Sequence, residues 1–466
     1  MSSTWFIAGW LLAAFTGPAE GASEAGVDRA SPADDGGVDE ETLLNSQPPA
    51  PPPVDEHPDS VPEADKRLLF STHAVDDDAG VYFKPGKGLV LQSENKLFKL
   101  VPRLRVQFRD TVSIDSPAGS PRSVDHSFQI RRARLQFAGH VFGEHNKYKL
   151  EIAMSPRDLG ITEGTVTKGP LLTWFVEFDH LRDLTLRIGQ YKIPYSRQRV
   201  VSSGALEFVD RTLANGEFNL DRDIGIDLRS MDLGGLGGRL RYYLGLYLGE
   251  GRDAYENESL SDPDAQAGGL MYLARVELLP MGRFKDYSEV DFVRGKQPRL
   301  SLGVAYAYLD EAKRTRGILG ARPEDGGTTD YHNVTADFLF KWTGVTILQE
   351  FYWRRGSRNP GDAIIVDDDG LQLPAPITAP RNGLGWSVQL GYLIPRTRFG
   401  VGARYSQARA LGSETSLADK DEVGGALNYF IAGHPLKLQL DYHHVRHEGF
   451  AGGFSDVIRV QLQFAY

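Results

Sequence analysis

The chain ends in DVIRVQLQFAY, residues 456–466, and the spacing of its apolar residues decides the fold. Ile458, Val460, Leu462, Phe464 and Tyr466 take every second position, with Val457, Arg459, Gln461, Gln463 and Ala465 between them. An extended strand sends alternate side chains to opposite faces, so this segment has one apolar face and one mostly polar face. A helix would scatter the same residues around its circumference.

The pattern recurs toward the N-terminus. LKLQLDY sets Leu436, Leu438, Leu440 and Tyr442 against Lys437, Gln439 and Asp441. RLRYYLGLYLG sets Leu240, Tyr242, Leu244, Leu246 and Leu248 against Arg239, Arg241 and Tyr243, and PRLRVQFRD sets Leu104, Val106 and Phe108 against Arg103, Arg105, Gln107 and Arg109. Sixteen such segments begin near residues 97, 128, 145, 171, 184, 222, 239, 270, 299, 331, 344, 385, 399, 422, 436 and 456. An even number suits an antiparallel barrel with both ends on one side.

Connection lengths test that count independently. Long ones (110–127, 155–170, 191–221, 249–269, 310–330, 356–384, 410–421, 447–455) alternate with short ones such as 141–144, 180–183, 342–343, 395–398 and 432–435. One exception, 280–298, is long where a short turn is due. Short turns at one end and long loops at the other characterise outer-membrane barrels. A sandwich, propeller or lipocalin-like barrel buries its apolar faces against another sheet or inside the barrel. Here apolar faces are systematically backed by charged ones, which a lipid-facing belt around a wet lumen explains. The expected fold is all-β: a transmembrane antiparallel β-barrel of sixteen strands over residues 81–466, in contact with the lipid of a Gram-negative-type outer membrane.

Two segments precede it. Residues 1–22 read as an export signal, with the apolar run Phe6–Phe15 and small residues around Ala19-Glu20-Gly21, although MSSTW lacks a basic residue. Residues 23–80 hold 15 acidic residues against Arg29, Lys66 and Arg67, with the proline-rich QPPAPPPVDEHPDSVPE. Such a segment cannot bury enough surface to offset its ordering entropy and is expected to be a disordered linker. The formal charge of −10 therefore belongs to this segment, and the barrel body is slightly basic. No apolar run reaches the roughly 20 residues of a membrane-spanning helix. The chain has no cysteine, which removes disulfides, thiolate metal sites and cysteine nucleophiles.

A barrel of this size leaves an aqueous channel whose selectivity follows the charges along it. Strand phase points Arg103, Arg105, Arg109, Arg132, Arg134, Arg239 and Arg241 inward, with Lys147, Lys149, Arg187, Arg275, Arg404 and Arg459. Inward acids are Glu151, Glu177, Asp227, Glu277, Asp337 and Asp441. Two readings stand: the arginines form a path for anions, or they neutralise these acids in a structural network. The connection 191–221 carries Lys192, Arg197, Arg199 and Arg211 with Ser202 and Ser203. It constricts the pore if it folds inward, and is an ordinary loop with solvated charges if it does not. His443, His444 and His447 suggest a metal site, but adjacent strand residues face opposite ways, so a strand-end cluster is the better reading. No short motif forces a serine–histidine arrangement, and no exposed basic stripe suits a nucleic acid. Neither catalysis nor a cofactor is expected.

FQIRRARLQFAGHVFGEHNKYKLEIAM (128–154) resembles the arginine-rich second strand and following hairpin of the phosphate-selective porin O and P family. LRIGQYKIPYSRQRVVSSGALEFVDRTLANGEFNLDRDIGIDL (186–228) is similar to that family's third loop with its flanking strands, and GKGLVLQSENKLFKLVPRLRVQF and VQLQFAY also resemble it. The likeness spans about residues 85–466. It implies a homotrimeric outer-membrane barrel in which Arg132 and Arg134 match lumen arginines, while Ser202 and Ser203 match serines of the loop. Tyr466 resembles the aromatic C-terminus by which such barrels are recognised for insertion. The serine pair is followed by Gly204 and Ala205, where a basic residue would strengthen the match. The resulting expectation is a passive channel for small hydrophilic solutes that favours anions such as phosphate. A general non-selective porin and an envelope-tethering barrel are the alternatives.

Overall fold

The computed structural model describes residues 80–466 apart from 85–87, 163–164, 253, 255–268, 367–369 and 448–452. The expected export signal, and all but the last residue of the expected linker, lie outside the described residues.

Sixteen antiparallel strands form one closed ring. The first eight are β1 (Lys99–Pro117), β2 (Ser123–His140), β3 (Asn146–Ala153), β4 (Leu171–Leu181), β5 (Leu184–Lys192), β6 (Arg222–Ser230), β7 (Leu240–Tyr247) and β8 (Met271–Leu278). The rest are β9 (Arg299–Ala312), β10 (Thr328–Trp342), β11 (Val345–Asn359), β12 (Gly383–Leu393), β13 (Phe399–Ala410), β14 (Lys420–Phe430), β15 (Leu436–His447) and β16 (Gly453–Ala465). Each pairs with the next, and β16 closes on β1 from Ala465↔Arg105 to Gly453↔Pro117. A hairpin, Gly80–Lys84 with Gly88–Gln92, leans on the start of β1 through Leu91↔Leu100.

The alternation decides which face meets lipid. On β15 and β16, Leu438, Leu440 and Leu462 are 41–43 % exposed, while Gln461 and Asp441 are at most 1 % exposed. Apolar side chains point out and polar ones point in, the inverse of a soluble barrel.

Every strand starts within five residues of its expected position, but the connection expected at 110–127 is largely strand: β1 runs to Pro117 and β2 begins at Ser123. The ladder continues through Thr111↔Ser127 and Val112↔His126, where outward positions include exposed Asp110 and His126. Beyond the lipid the wall needs no apolar outer face, so the sequence pattern fades while the backbone pairing does not.

A bulge interrupts β1–β2. Gln107 pairs with Arg132 and Phe108 with Ile130, leaving Arg131 as the extra residue. The outward apolar residues of β2 switch there from even positions (exposed Phe128 and Ile130) to odd ones (half-buried Leu135 and Phe137), so Arg131 and Arg132 both end up buried.

Two connections fill the lumen. Residues 193–221 cross it, with the short helices α1 (Arg197–Val200) and α2 (Leu213–Phe218) capped by Ser196 and Thr212, whose hydroxyls accept from Arg199 N and Asn215 N. The segment is tied to distant walls: Gln198 N donates to Glu350 of β11 at 2.8 Å, Ala214 N to Ser406 of β13 at 2.9 Å, and Val209 N to Asp441 of β15 at 2.9 Å. Phe218 stacks on Tyr352 and packs so near Gly385 that a Cβ there would lie 2.6 Å from its ring. The second connection is the exception, 280–298, on the short-turn side. Its Asp286, Tyr287, Ser288 and Glu289 are buried, and Glu289 N donates to Ala205 O at 3.0 Å. Its length is explained by its path into the barrel.

Candidate pore constriction

The wall formed by β1–β5 is crowded with cations. Arg109, Arg131 and Arg132 converge on Asp210 of the inward segment at 3.0, 3.2 and 3.6 Å. Burial alone would raise the Asp210 carboxyl, but the three guanidiniums outweigh it and hold the group well below the usual carboxylate range. Glu151 of β3 is likewise shared, by Arg134 at 3.1 Å, Arg105 at 3.5 Å and Arg222 at 3.8 Å. Arg134 also grips Asp158 through a two-pronged contact of 2.8 and 2.9 Å. Burial opposes ionisation there too, and Arg134 with Arg132 and Arg222 overcomes it, keeping Asp158 at about 2.

Beside this group lies a cleft of about 40 Å³. Its charged lining is Arg105, Arg134, Lys149, Lys192 and Arg222 against Glu151, with Ser202 and Ser203 alongside. Arg105 Nη1 donates to Ser202 Oγ at 2.7 Å, Lys192 Nζ to the carbonyls of Val200 and Val201 at 3.0 and 3.1 Å, and Arg222 Nε to Thr173 Oγ1 at 3.1 Å. The buried Ser203 hydroxyl makes no hydrogen bond among the described residues. A space of this size holds only a few waters.

The wall of β7, β8 and β10 is arranged differently. Arg197 contacts Asp337 at 2.6 Å, Asp286 at 3.0 Å and Glu277 at 3.8 Å. Arg241 contacts Asp286 and Glu277 at 3.0 and 3.3 Å, and Arg275 contacts Glu277 and Asp337 at 2.9 and 2.6 Å. Three arginines meet three carboxylates, and all six side chains are at most 1 % exposed.

The expected site residues therefore separate. Arg105, Arg134, Lys192, Ser202 and Ser203 line the cleft, and Arg109 and Arg132 stand behind it on Asp210. Lys192 ends β5 and belongs to the wall, not to the loop. Arg199 pairs with Asp221, and Arg211 is spent on the carbonyls of Gln198 and Val201 at 2.8 and 2.7 Å. Burial, together with Arg199, pushes Arg211 down to about 9. Arg197 and Arg241 lie in the sealed cluster and away from the cleft, because neighbouring acids claim them. Arg239 is exposed in the turn before β7, outside the strand to which phase assigned it, and Arg103 is half-buried on β1. Elsewhere inward arginines meet carboxylates on the adjoining strand, as in Arg187–Glu177 and Arg459–Asp441. His443 faces inward between Glu422 and Asp441 at 2.6 and 3.1 Å, while His444 faces outward onto Asp456.

Arg131, Arg222, Asp210 and the segment 280–298 escaped sequence reasoning. The break in alternation at Arg131-Arg132 marks the bulge, and the one misplaced long connection marks the second inward segment. Nothing in the local sequence shows that Asp210 gathers three arginines from other strands.

A closed sixteen-stranded barrel with an apolar outer belt and a charged, constricted lumen is the architecture of an outer-membrane porin channel. Residues 110–235 match the model of the phosphate-selective porin O and P family, the family that the sequence resembles. An uncharacterized protein of Aquifex aeolicus (strain VF5) is 23 % identical over 409 residues, covering 82 % of this chain and 92 % of its own length. Among solved structures, the outer membrane channel DcaP of Acinetobacter baumannii aligns at 11 % identity and a TM-score of 0.47, covering 81 % of this chain and 99 % of its own. The outer membrane protein opdK from Pseudomonas aeruginosa aligns at 13 % identity and 0.40, covering 78 % and 99 %.

Proposed function

We propose that this porin passes small anions, phosphate and similar oxyanions among them, by passive diffusion along the cleft beside β1–β5. The observation that carries this reading is the charge of the lining: five cationic side chains face one carboxylate in the cleft beside the inward segment. Guanidinium groups remain charged and present a planar fork of donors that matches an oxyanion, so Arg105 and Arg134 replace part of its hydration. Ser202 and Ser203 add neutral donors, which let an ion leave as readily as it enters. Six arginines meet four carboxylates there, Asp210, Glu151, Asp158 and Asp221, and that excess lowers the barrier for anions and raises it for cations. The trimer belongs to the same reading and is supported by the family resemblance. Flux follows the solute gradient.

Reversal potentials in planar bilayers under a salt gradient, with chloride and phosphate compared, test the reading. The expected sign is anion preference, reduced several-fold by Arg132→Glu or Arg134→Glu. A cation-selective native channel overturns it, and a reversal potential near zero in both salts assigns a general pore instead.

A further inference from the structure

The outer wall of the barrel carries a polar cleft with no part in conduction. It opens between β13, β14 and β15, is about 250 Å³ in volume, and is lined by Tyr405, Arg409, Asp421, Val423, His444 and Arg446. A single water occupies ~30 Å³ in the liquid, so the cleft accepts a group of several heavy atoms. All six residues lie at strand positions in phase with the outward apolar residues: Val401 on β13, Leu427 on β14, and Leu438 and Leu440 on β15.

Its height on the wall is informative. The cleft sits where β13 and β15 end and β14 begins, at the loop side, just past the last apolar outward residues. Tyr405 with Trp386 (ring centroids 5.6 Å apart) and Tyr442 form an aromatic collar there. Aromatic girdles mark the boundary between hydrocarbon and headgroups, and the long loops of such barrels face the cell exterior. The cleft is thus level with the headgroups of the outer leaflet.

Its two guanidiniums differ in how they are held. Asp421 accepts from Tyr405 Oη at 2.7 Å and from Arg409 Nη2 at 2.5 Å, and Arg446 stands directly across the ladder from it. Arg446 is exposed and makes no hydrogen bond among the described residues. His444 is held by Asp456 at 2.8 Å, which Tyr442 Oη also approaches at 2.7 Å. Arg409 is thus engaged by Asp421, with Asp419 close by, while the Arg446 guanidinium stays exposed at a recess that opens toward lipid.

We propose that this cleft binds the phosphate group of an outer-leaflet lipid headgroup, with Arg446 and Arg409 as the fork and Tyr405 and Trp386 packing beside it. Arginine pairs with phosphate through two parallel donors, and at a membrane interface basic recesses of this kind select anionic headgroups. The site is independent of the lumen, so its failure and the failure of anion conduction are separable.

Native mass spectrometry of the detergent-purified protein with added phosphatidic acid or phosphatidylcholine tests the site. The native protein is expected to retain phosphatidic acid several-fold better than phosphatidylcholine. The double substitution R409Q/R446Q is expected to abolish that preference while leaving single-channel conductance and heat-resistant migration unchanged. If the pair does not fold, R446Q alone, at an exposed position, is expected to reduce retention at least twofold, and Arg446→Lys to restore part of it. Inorganic phosphate at the same concentration is not expected to displace the lipid. Equal retention of both lipids, equal retention by the native and substituted proteins, or displacement by inorganic phosphate overturns the proposal.

Discussion

Nine arginines stand in three groups along the lumen wall, and their surroundings give them different work. Arg197, Arg241 and Arg275 meet Glu277, Asp286 and Asp337 in a dry, neutral cluster. Arg109, Arg131 and Arg132 share Asp210, while Arg105, Arg134 and Arg222 meet Glu151, with Asp158 also on Arg134 and Asp221 also on Arg222. The first arrangement saturates its charges and pins the two inward segments to the wall. The second gathers six arginines on four carboxylates beside the cleft. Residue type alone does not separate scaffold from path, whereas the ratio of arginine to carboxylate does.

The comparison is most severely tested by breaking the neutral cluster. Arg197→Ala leaves Asp286, Asp337 and Glu277 with too little positive charge in a site closed to water. Removing one partner of a buried pair costs about 3–5 kcal/mol, so urea unfolding of the reconstituted barrel is expected to shift by that order, with ion preference kept. A change of selectivity without loss of stability would show that the cluster belongs to the path.

A smaller effect is expected where the two inward segments meet. Glu207 N donates to Glu289 at 2.9 Å, and burial together with Glu289 pushes the Glu207 carboxyl up to about 8. The folded protein thus keeps a proton that the unfolded chain releases near its ordinary value. The stability that depends on this proton is present at low pH and is lost as pH rises toward 8. Glu207→Gln is expected to flatten the fall in unfolding midpoint between pH 5 and pH 9, an effect of at most a few kcal/mol at pH 9. An unchanged slope would place the titrating group elsewhere.

The smallest effect is expected on the basic side. Ser202→Ala removes the hydroxyl that accepts from Arg105 at 2.7 Å. One such hydrogen bond is worth about 1 kcal/mol, so stability is expected to change little and anion conductance by less than threefold. A large loss of conductance would mean that Ser202 contacts the ion throughout its passage.

Much of this was legible in the chain. Leu438, Gln439 and Leu440 announce a wall with lipid on one side and water on the other, and the spacing of such runs yields the sixteen strands. The phase of PRLRVQFRD aims Arg105 and Arg109 at the lumen. Phase cannot register that Arg241 is claimed by Asp286, because that aspartate lies on a connection and follows no alternation. Arg131 was missed for a related reason: a bulge shifts the phase by one residue, so an arginine out of step with Arg132 and Arg134 also turns in.

The sequence by itself determined the barrel, its strand count, the polarity of its two faces and the pool of inward arginines. These follow from a period of two, a property of each strand alone. Only the tertiary structure decided which arginines are neutralised and which remain in excess. That outcome depends on where residues 193–221 and 280–298 deliver Asp210 and Asp286, and contacts made across a lumen leave no periodic trace along the chain.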